Sequence, residues 1–397
     1  MGDNTANAGI TIDDIKLISD PYDMEMLAIE SPLPHSCDIG SNNSVSIKFA
    51  DHRGVSGCIP IKYRINNGTI ISECAISSGP NNTYTFTSKP NFTTLGIYLL
   101  EVWTDHAADT YHINDTIRTI IYNKPVVNQY PYYENFENGT GFWHAEGYKN
   151  SWQYGTPSSY KINKAASGTK TWKTTLQGQY NENEQSFLYS PCFDISRLIS
   201  PYLSFNIAMD LEQCGQFVCD KFWMEYSTDG KSWNKLGAYG QGINWYNRPT
   251  DNIWDSANHT TWHIAGIALP TGLKQIQFRY VLSSDAYTSR EGIAIDDVQV
   301  FDRQINTANL PWRLFPNPVT NSASLLTTHI AGSDVIINVF NAVGQLVHHQ
   351  NFSASGFVDN TLINMQHLAP GVYAIQVQVA INKKVFRGVN QYISCYR

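Results

Sequence analysis

Along most of this chain apolar and polar residues alternate with a period of two, the pattern of strands that bury one face and wet the other. Leu203, Phe205, Ile207 and Met209 make one such run, and Ile276, Phe278, Tyr280 and Leu282 another. In the first third the runs are shorter: Val45, Ile47 and Phe49; Ile61, Tyr63 and Ile65; Tyr84 and Phe86; then 97–103 and 117–121. Turn-forming clusters separate them, such as NNGT at 66–69 and SGPNN at 78–82. The last fifth repeats the habit in VIINVFNAVGQLVHHQNF (335–352) and GVYAIQVQV (371–379). The pattern predicts an all-β chain of sandwiches in tandem, over residues 20–125, 126–305 and 310–397.

One phrase occurs twice. Residues 9–18 read GITIDDIKLI and residues 292–301 read GIAIDDVQVF. In the second copy Ile293 and Ile295 share one face, while Val298 and Val300 fall on the other, so the apolar phase switches at Asp296-Asp297. A phase switch in a buried strand predicts a bulge, and bulges re-aim side chains beside sites. Two adjacent carboxylates there suggest a hard cation such as calcium, which takes oxygen ligands; the competing role is a solvated strand end. The first copy makes the same switch at Asp13-Asp14 with no body of strands before it. Residues 1–19 are therefore expected to be the closing strand of a truncated upstream module.

Composition narrows the class. Of 397 residues, 15% are charged and 13% aromatic, the profile of secreted β-domains, and the formal net charge of −7 comes without any Lys/Arg run, which argues against nucleic acid as a partner. No apolar run is long enough to span a bilayer, so no transmembrane segment is expected. The opening MGDNTANAG lacks the basic and apolar regions of a signal peptide, again as expected of a truncated chain. Among seven cysteines, Cys214 and Cys219 are placed to close a small disulfide, and one of Cys37, Cys58 and Cys74 is left over if the other two pair. No HExxH, GxSxG or Cys/His nucleophile pattern occurs, so this chain is not expected to be an enzyme. His259 and His263 are four apart, but in strand-rich sequence that spacing sets no shared helical face.

The aromatic residues offer a binding alternative. Trp245, Tyr246 and Trp254 lie in YGQGINWYNRPTDNIWDSANHTTW, a stretch too long for a simple turn. Long structured loops often carry binding, and flat rings suit sugars and peptides, which makes these three candidate ligand-binding residues. The competing role is packing.

Three resemblances follow. LGIYLLEVWT (95–104) and HINDTI (112–117) resemble bacterial adhesion-type repeats and imply an immunoglobulin-like spacer. YYENFENGTGFW (132–143), EYSTDGKSW (225–233) and IAIDDV (293–298) resemble meprin-type and cleaved-adhesin jelly rolls. That resemblance implies a structural calcium near the acid of the first strand and the closing Asp pair: Glu137 and Asp297, with Glu134 and Asp296 in reserve. FPNP (Phe315, Pro316, Asn317, Pro318), the NAVGQLV turn with Gly344, and LAPGVY with Gly371 and Tyr373 resemble the C-terminal sorting domain of type IX secretion substrates. Val343-Gly344 and Pro370-Gly371 are both expected to turn hairpins. The resemblance implies export through the periplasm, with the type IX outer-membrane export and anchoring machinery as partner, and a secreted or surface-attached product. The expected function is thus a non-catalytic, exported array of adhesion or binding modules, its ligand a glycan or a host or extracellular protein. The alternatives are the accessory tail of a secreted peptidase or other hydrolase, and a carbohydrate-binding module.

Overall fold

The computed structural model describes residues 22–303, apart from 38, 41, 55, 256 and 257, and residues 312–395, apart from 316, 329–332, 355–357, 382–383 and 388–390. The first copy of the repeated phrase and Pro316 lie outside the described residues. Every regular element among the described residues is a strand, and no helix there is long and apolar enough to cross a membrane. The chain divides into two compact units, Met1–Asn123 and Lys124–Arg397.

In the first unit a three-stranded antiparallel sheet (Met24–Ser31, Ser46–Asp51, Asn82–Thr85) accompanies a four-stranded one (Ile71–Ala75, Ile59–Ile65, Gly96–Thr104, Thr116–Asn123). The alternating residues found in the sequence close the core between them: Ile47, Phe49, Ile61, Tyr63, Leu100 and Val102 all belong to one buried cluster. Cys58 is bonded to Cys74.

The second unit contains two pairs of sheets. In the first pair, a seven-stranded sheet runs His144–Tyr148, Gln185–Asp194, Gln275–Ser283, Lys221–Ser227 and Asn234–Lys235, with Val126–Val127 and Trp254–Asp255 as short additions. Its partner runs Trp152–Gly155, Thr171–Thr174, Gly292–Asp302, Pro201–Asp210 and Asn258–Ala268. The opening strand Tyr132–Glu134 pairs with the closing strand, Glu134 opposite Val298. Rings fill the space between the sheets: Tyr280 stacks on Phe222 (centroids 5.9 Å apart) and on Trp143 (5.8 Å). Cys214 and Cys219 form the expected bond.

The last pair joins Trp312–Phe315, Ser322–Thr328 and Val358–Asn364 in one sheet, and Leu346–Ser353, Asp334–Phe340, Gly371–Ile381, Lys384–Arg387 and Gln391–Cys395 in the other. Gly344 turns a hairpin as expected, at φ 80°. Pro370-Gly371 does not. The strands on either side of it belong to different sheets, so this segment crosses from one sheet to the other. Tyr373 steadies that crossing by donating its hydroxyl to the Ala369 carbonyl (2.7 Å). Asn317 accepts the Ser394 N–H (3.0 Å), which ties this residue to the terminal strand.

Candidate functional site

The bulge is where the phase switch puts it. Ser204 pairs with Gln299 and Asn206 with Asp296, so the single residue Phe205 faces two, Asp297 and Val298. Asp297 takes up the extra residue with φ 50°, in the left-handed region. Ile293 and Ile295 before it and Val298 and Val300 after it consequently enter the same core.

The carboxylates beside this bulge are buried. Asp296 is fully inaccessible; its Oδ2 accepts the N–H groups of Ala166 (2.9 Å) and Ser167 (3.2 Å), and its Oδ1 that of Asp297 (2.8 Å). Asp297 Oδ1 accepts the hydroxyls of Tyr133 (2.5 Å) and Ser167 (2.6 Å), and Oδ2 the side-chain amide of Asn206 (2.7 Å). Burial, followed by the Asp297 charge, pushes the Asp296 carboxyl up to about 8. Burial and the same charge raise the Tyr133 hydroxyl, which stays a donor.

Glu137 grips the next stretch of the same loop. Its Oε1 accepts the N–H groups of Thr169 (2.8 Å) and Lys170 (2.6 Å), and its Oε2 the Thr169 hydroxyl (3.1 Å). Burial opposes its ionisation, but these bonds prevail and hold its carboxyl below the ordinary range. Between the two grips lies Gly168 at φ 59°, where a Cβ would sit 2.3 Å from Glu137 Cδ. Glu134 is directed elsewhere. It accepts the Phe136 N–H (2.8 Å), is pushed up by burial, and lines a cavity of about 510 Å³ with Tyr132, Gly141 and Phe142. Glu137 and the Asp pair are thus brought to one loop, residues 166–170, each with donors of its own. The oxygen-bearing side chains at the bulge are two carboxylates and two hydroxyls, the Asn206 amide turns its N–H toward Asp297, and no cationic side chain is among the hydrogen-bond partners of the Asp pair.

The three candidate ligand-binding rings are core residues, which corrects the sequence reading. Trp245, Tyr246 and Trp254 are 1%, 4% and 2% exposed. Trp245 donates its indole N–H to the Leu236 carbonyl (3.0 Å), Tyr246 its hydroxyl to the same carbonyl (2.8 Å), and Trp254 its N–H to Asn244 O (3.1 Å). Positive φ at Asn244 and Tyr246 folds the loop inward, so these rings present no face to a ligand.

A different aromatic cluster escaped the sequence reading, in the outward phase of the seven-stranded sheet, where Tyr189 and Val281 are buried and Phe187, Trp223 and Trp233 are half-buried. Cross-strand register lines up Tyr189, Arg279, Glu225 and Lys235 in one row, and Phe187, Val281 and Trp223 in the next. The Arg279 guanidinium lies 4.3 Å from the Trp233 ring centre and 4.4 Å from that of Phe187. It is held there by Glu225 (Nε to Oε2, 2.7 Å) and donates to the Tyr189 hydroxyl (3.0 Å). Lys235 lies 5.3 Å over Trp223. The available signal was phase: Phe187, Trp223 and Arg279 occupy positions between the core residues Leu188, Phe222, Met224, Phe278 and Tyr280. Large rings in the outward phase of an amphipathic strand need another reason to be there.

Comparison with known proteins bears first on the last pair of sheets. The family described as secretion system C-terminal sorting domain matches residues 313–389. Bacillopeptidase F of Bacillus subtilis (strain 168) is 30% identical over 174 residues, 43% of this chain and 11% of that protein, so the match spans about a tenth of that relative's length. Among solved structures, the carbohydrate-binding module TmCBM61 in complex with β-1,4-galactotriose covers 43% of this chain and 95% of its own at 14% identity and a TM-score of 0.29. The K1 cleaved adhesin domain of Lys-gingipain from Porphyromonas gingivalis W83 covers 43% and 98% at 16% identity and a TM-score of 0.26. Residues 313–389 are a type IX C-terminal sorting domain, and the chain that carries it is directed to export and to release or attachment at the cell surface.

Proposed function

We propose that this exported chain acts by binding and not by catalysis, and that its ligand is a carbohydrate held on the outward face of the seven-stranded sheet. One observation carries the reading: Arg279 stacked between Trp233 and Phe187, with Glu225 fixing it. Ring faces pack against the C–H faces of a sugar, while a fixed guanidinium and carboxylate hydrogen-bond its hydroxyls. Trp233 and Phe187 are half-buried, so their rings are held in place yet reachable. Trp233→Ala is expected to weaken glycan binding at least tenfold, about 1.4 kcal/mol, with an unchanged circular dichroism spectrum. Equal binding by parent and variant would remove this face as the site, and a blank glycan array for the parent would remove carbohydrate as the ligand.

The Asp296-Asp297 bulge supports a second part of the reading, a structural calcium. A cation there would relieve the two adjacent buried carboxylates and clamp loop 166–170 to the closing strand, with Asp297, Asp296 and Ser167 nearest and Glu137 at the other end of the loop. Chelation is expected to lower the melting temperature of the full chain by several degrees, and Asp297→Ala to abolish the difference between chelated and calcium-loaded protein. Identical melting of the parent with chelator and with calcium would dismiss the ion.

The match to bacillopeptidase F favours an alternative setting for the same modules, as the accessory part of a secreted peptidase. In that setting the binding face would hold a catalytic part on its substrate. The coding sequence adjoining residue 1 decides between the two.

A further inference from the structure

A cluster in the first unit plays no part in the reading above. The segment joining strands Gly96–Thr104 and Thr116–Asn123 carries Asp109, His112 and Asp115, three residues apart. One ligand atom from each lies within 4.8 Å of the others. Asp109 and Asp115 are 4% and 6% exposed, whereas the His112 side chain faces solvent. Both oxygens of Asp109 accept backbone N–H groups, Oδ1 from Tyr111 and Oδ2 from Met24, each at 2.9 Å. Asp115 Oδ2 lies 2.7 Å from His112 Nδ1.

Asp115 Oδ1 is different: it is buried and has no hydrogen-bond partner. Buried polar atoms are almost always paired, and a carboxylate oxygen is among the costliest to leave alone. An ordinary His–Asp ion pair accounts for Oδ2 and leaves Oδ1 unexplained. It also leaves a second buried carboxylate, Asp109, beside the first. Burial raises the Asp115 carboxyl to about 6; His112 pulls it down, and the Asp109 charge pushes it further up.

We infer that Asp109, His112 and Asp115 form a binding site for a divalent transition metal such as Zn²⁺, with water completing the coordination. The imidazole selects against calcium, which takes oxygen ligands, and for a metal such as zinc. Neighbouring ligands around a tetrahedral ion with bonds of about 2.1 Å stand roughly 3.4 Å apart, so the 2.7 Å between Nδ1 and Oδ2 would widen by a side-chain rotation to admit the ion. The ion would take the place of the proton shared by that pair and supply the missing partner of Oδ1. His112 leaves the site open for entry. Because Asp109 also holds the Met24 N–H, an occupied site would fasten this loop to the first strand of the unit.

The test uses the full chain, stripped with chelator and returned to excess calcium, then titrated with Zn²⁺ by calorimetry and with Co²⁺ by visible absorption. The expected result is Zn²⁺ uptake that raises the melting temperature, and a Co²⁺ spectrum of mixed nitrogen and oxygen ligation. His112→Ala is expected to weaken uptake at least tenfold and to erase the Co²⁺ bands. Asp115→Asn is expected to do the same; should it fail to fold, the exposed His112 still decides the matter. Absence of uptake by the parent, or uptake that His112→Ala leaves unchanged because the metal sits on His259 and His263 or elsewhere, overturns the inference.

Discussion

Trp254→Ala is expected to cost about 3–5 kcal/mol of stability, read as a fall on the order of 10 °C in the melting midpoint of a unit this size. The indole is packed on four sides. Tyr246 lies 4.6 Å away, Trp245 5.1 Å and Phe222 5.5 Å, with Phe205 at 6.4 Å. Trp245 and Tyr246 are anchored through their own polar atoms to the Leu236 and Met224 carbonyls, so these two rings cannot slide in to fill the space. A cavity left among fixed neighbours carries both the lost transfer energy and the lost contacts. The experiment separates the two roles that the sequence left open for this residue. A ligand-contacting tryptophan loses affinity on truncation and keeps the fold; a packing tryptophan does the reverse. Thermal melting and glycan binding measured on the same variant, at a temperature where it remains folded, give the answer. Unchanged melting with lost binding would return Trp254 to the ligand site.

What was legible in the sequence was local. The bulge could be read because a period-two pattern that changes phase has only one way to keep both halves in one core, and the residues that absorb the change are named by the switch itself, Asp296 and Asp297. The jelly-roll resemblance implied that the acid of the first strand lies near the closing Asp pair, and the register does place the opening strand beside the closing one. The tryptophan loop was not legible, because the direction in which a loop folds depends on backbone angles that composition does not report. Left-handed Asn244 and Tyr246, together with the Ile243–Gly266 bridge, turn this one inward. Pro370-Gly371 failed for a related reason: a turn dipeptide reports that the chain bends and is silent about which sheet receives the next strand. The Arg279 stack was unreadable for want of register, since Trp233 and Phe187 are 46 positions apart and meet only when three strands are laid side by side.

Lys173→Met is expected to destabilise the protein by about 3 kcal/mol near neutral pH. Lys173 lies on the strand Thr171–Thr174, opposite Ala294 of the closing strand, and is fully inaccessible. Its ammonium donates to three carbonyls: Thr174 (3.0 Å), Thr175 (2.8 Å) and Glu291 (2.6 Å). Burial lowers its pKa to about 8, with Glu291 and then Asp210 pulling the other way. A depression of that size means that burying the charge costs roughly 3 kcal/mol. Methionine would remove that cost and fill the volume, but it would leave three buried carbonyls without this donor, at about 1–3 kcal/mol each. The pH dependence supplies an independent check. The folded protein gives up the Lys173 proton near pH 8 and the unfolded chain near 10.5, so between those values the unfolded state binds more protons. Stability from this group therefore rises with pH across that window. The methionine variant lacks the group, so the gap between the two proteins should widen from pH 8 to 10.5 in parallel urea titrations. A gap that stays flat would show that Lys173 titrates as an exposed lysine does, and a variant as stable as the parent would show that the three carbonyls find other donors.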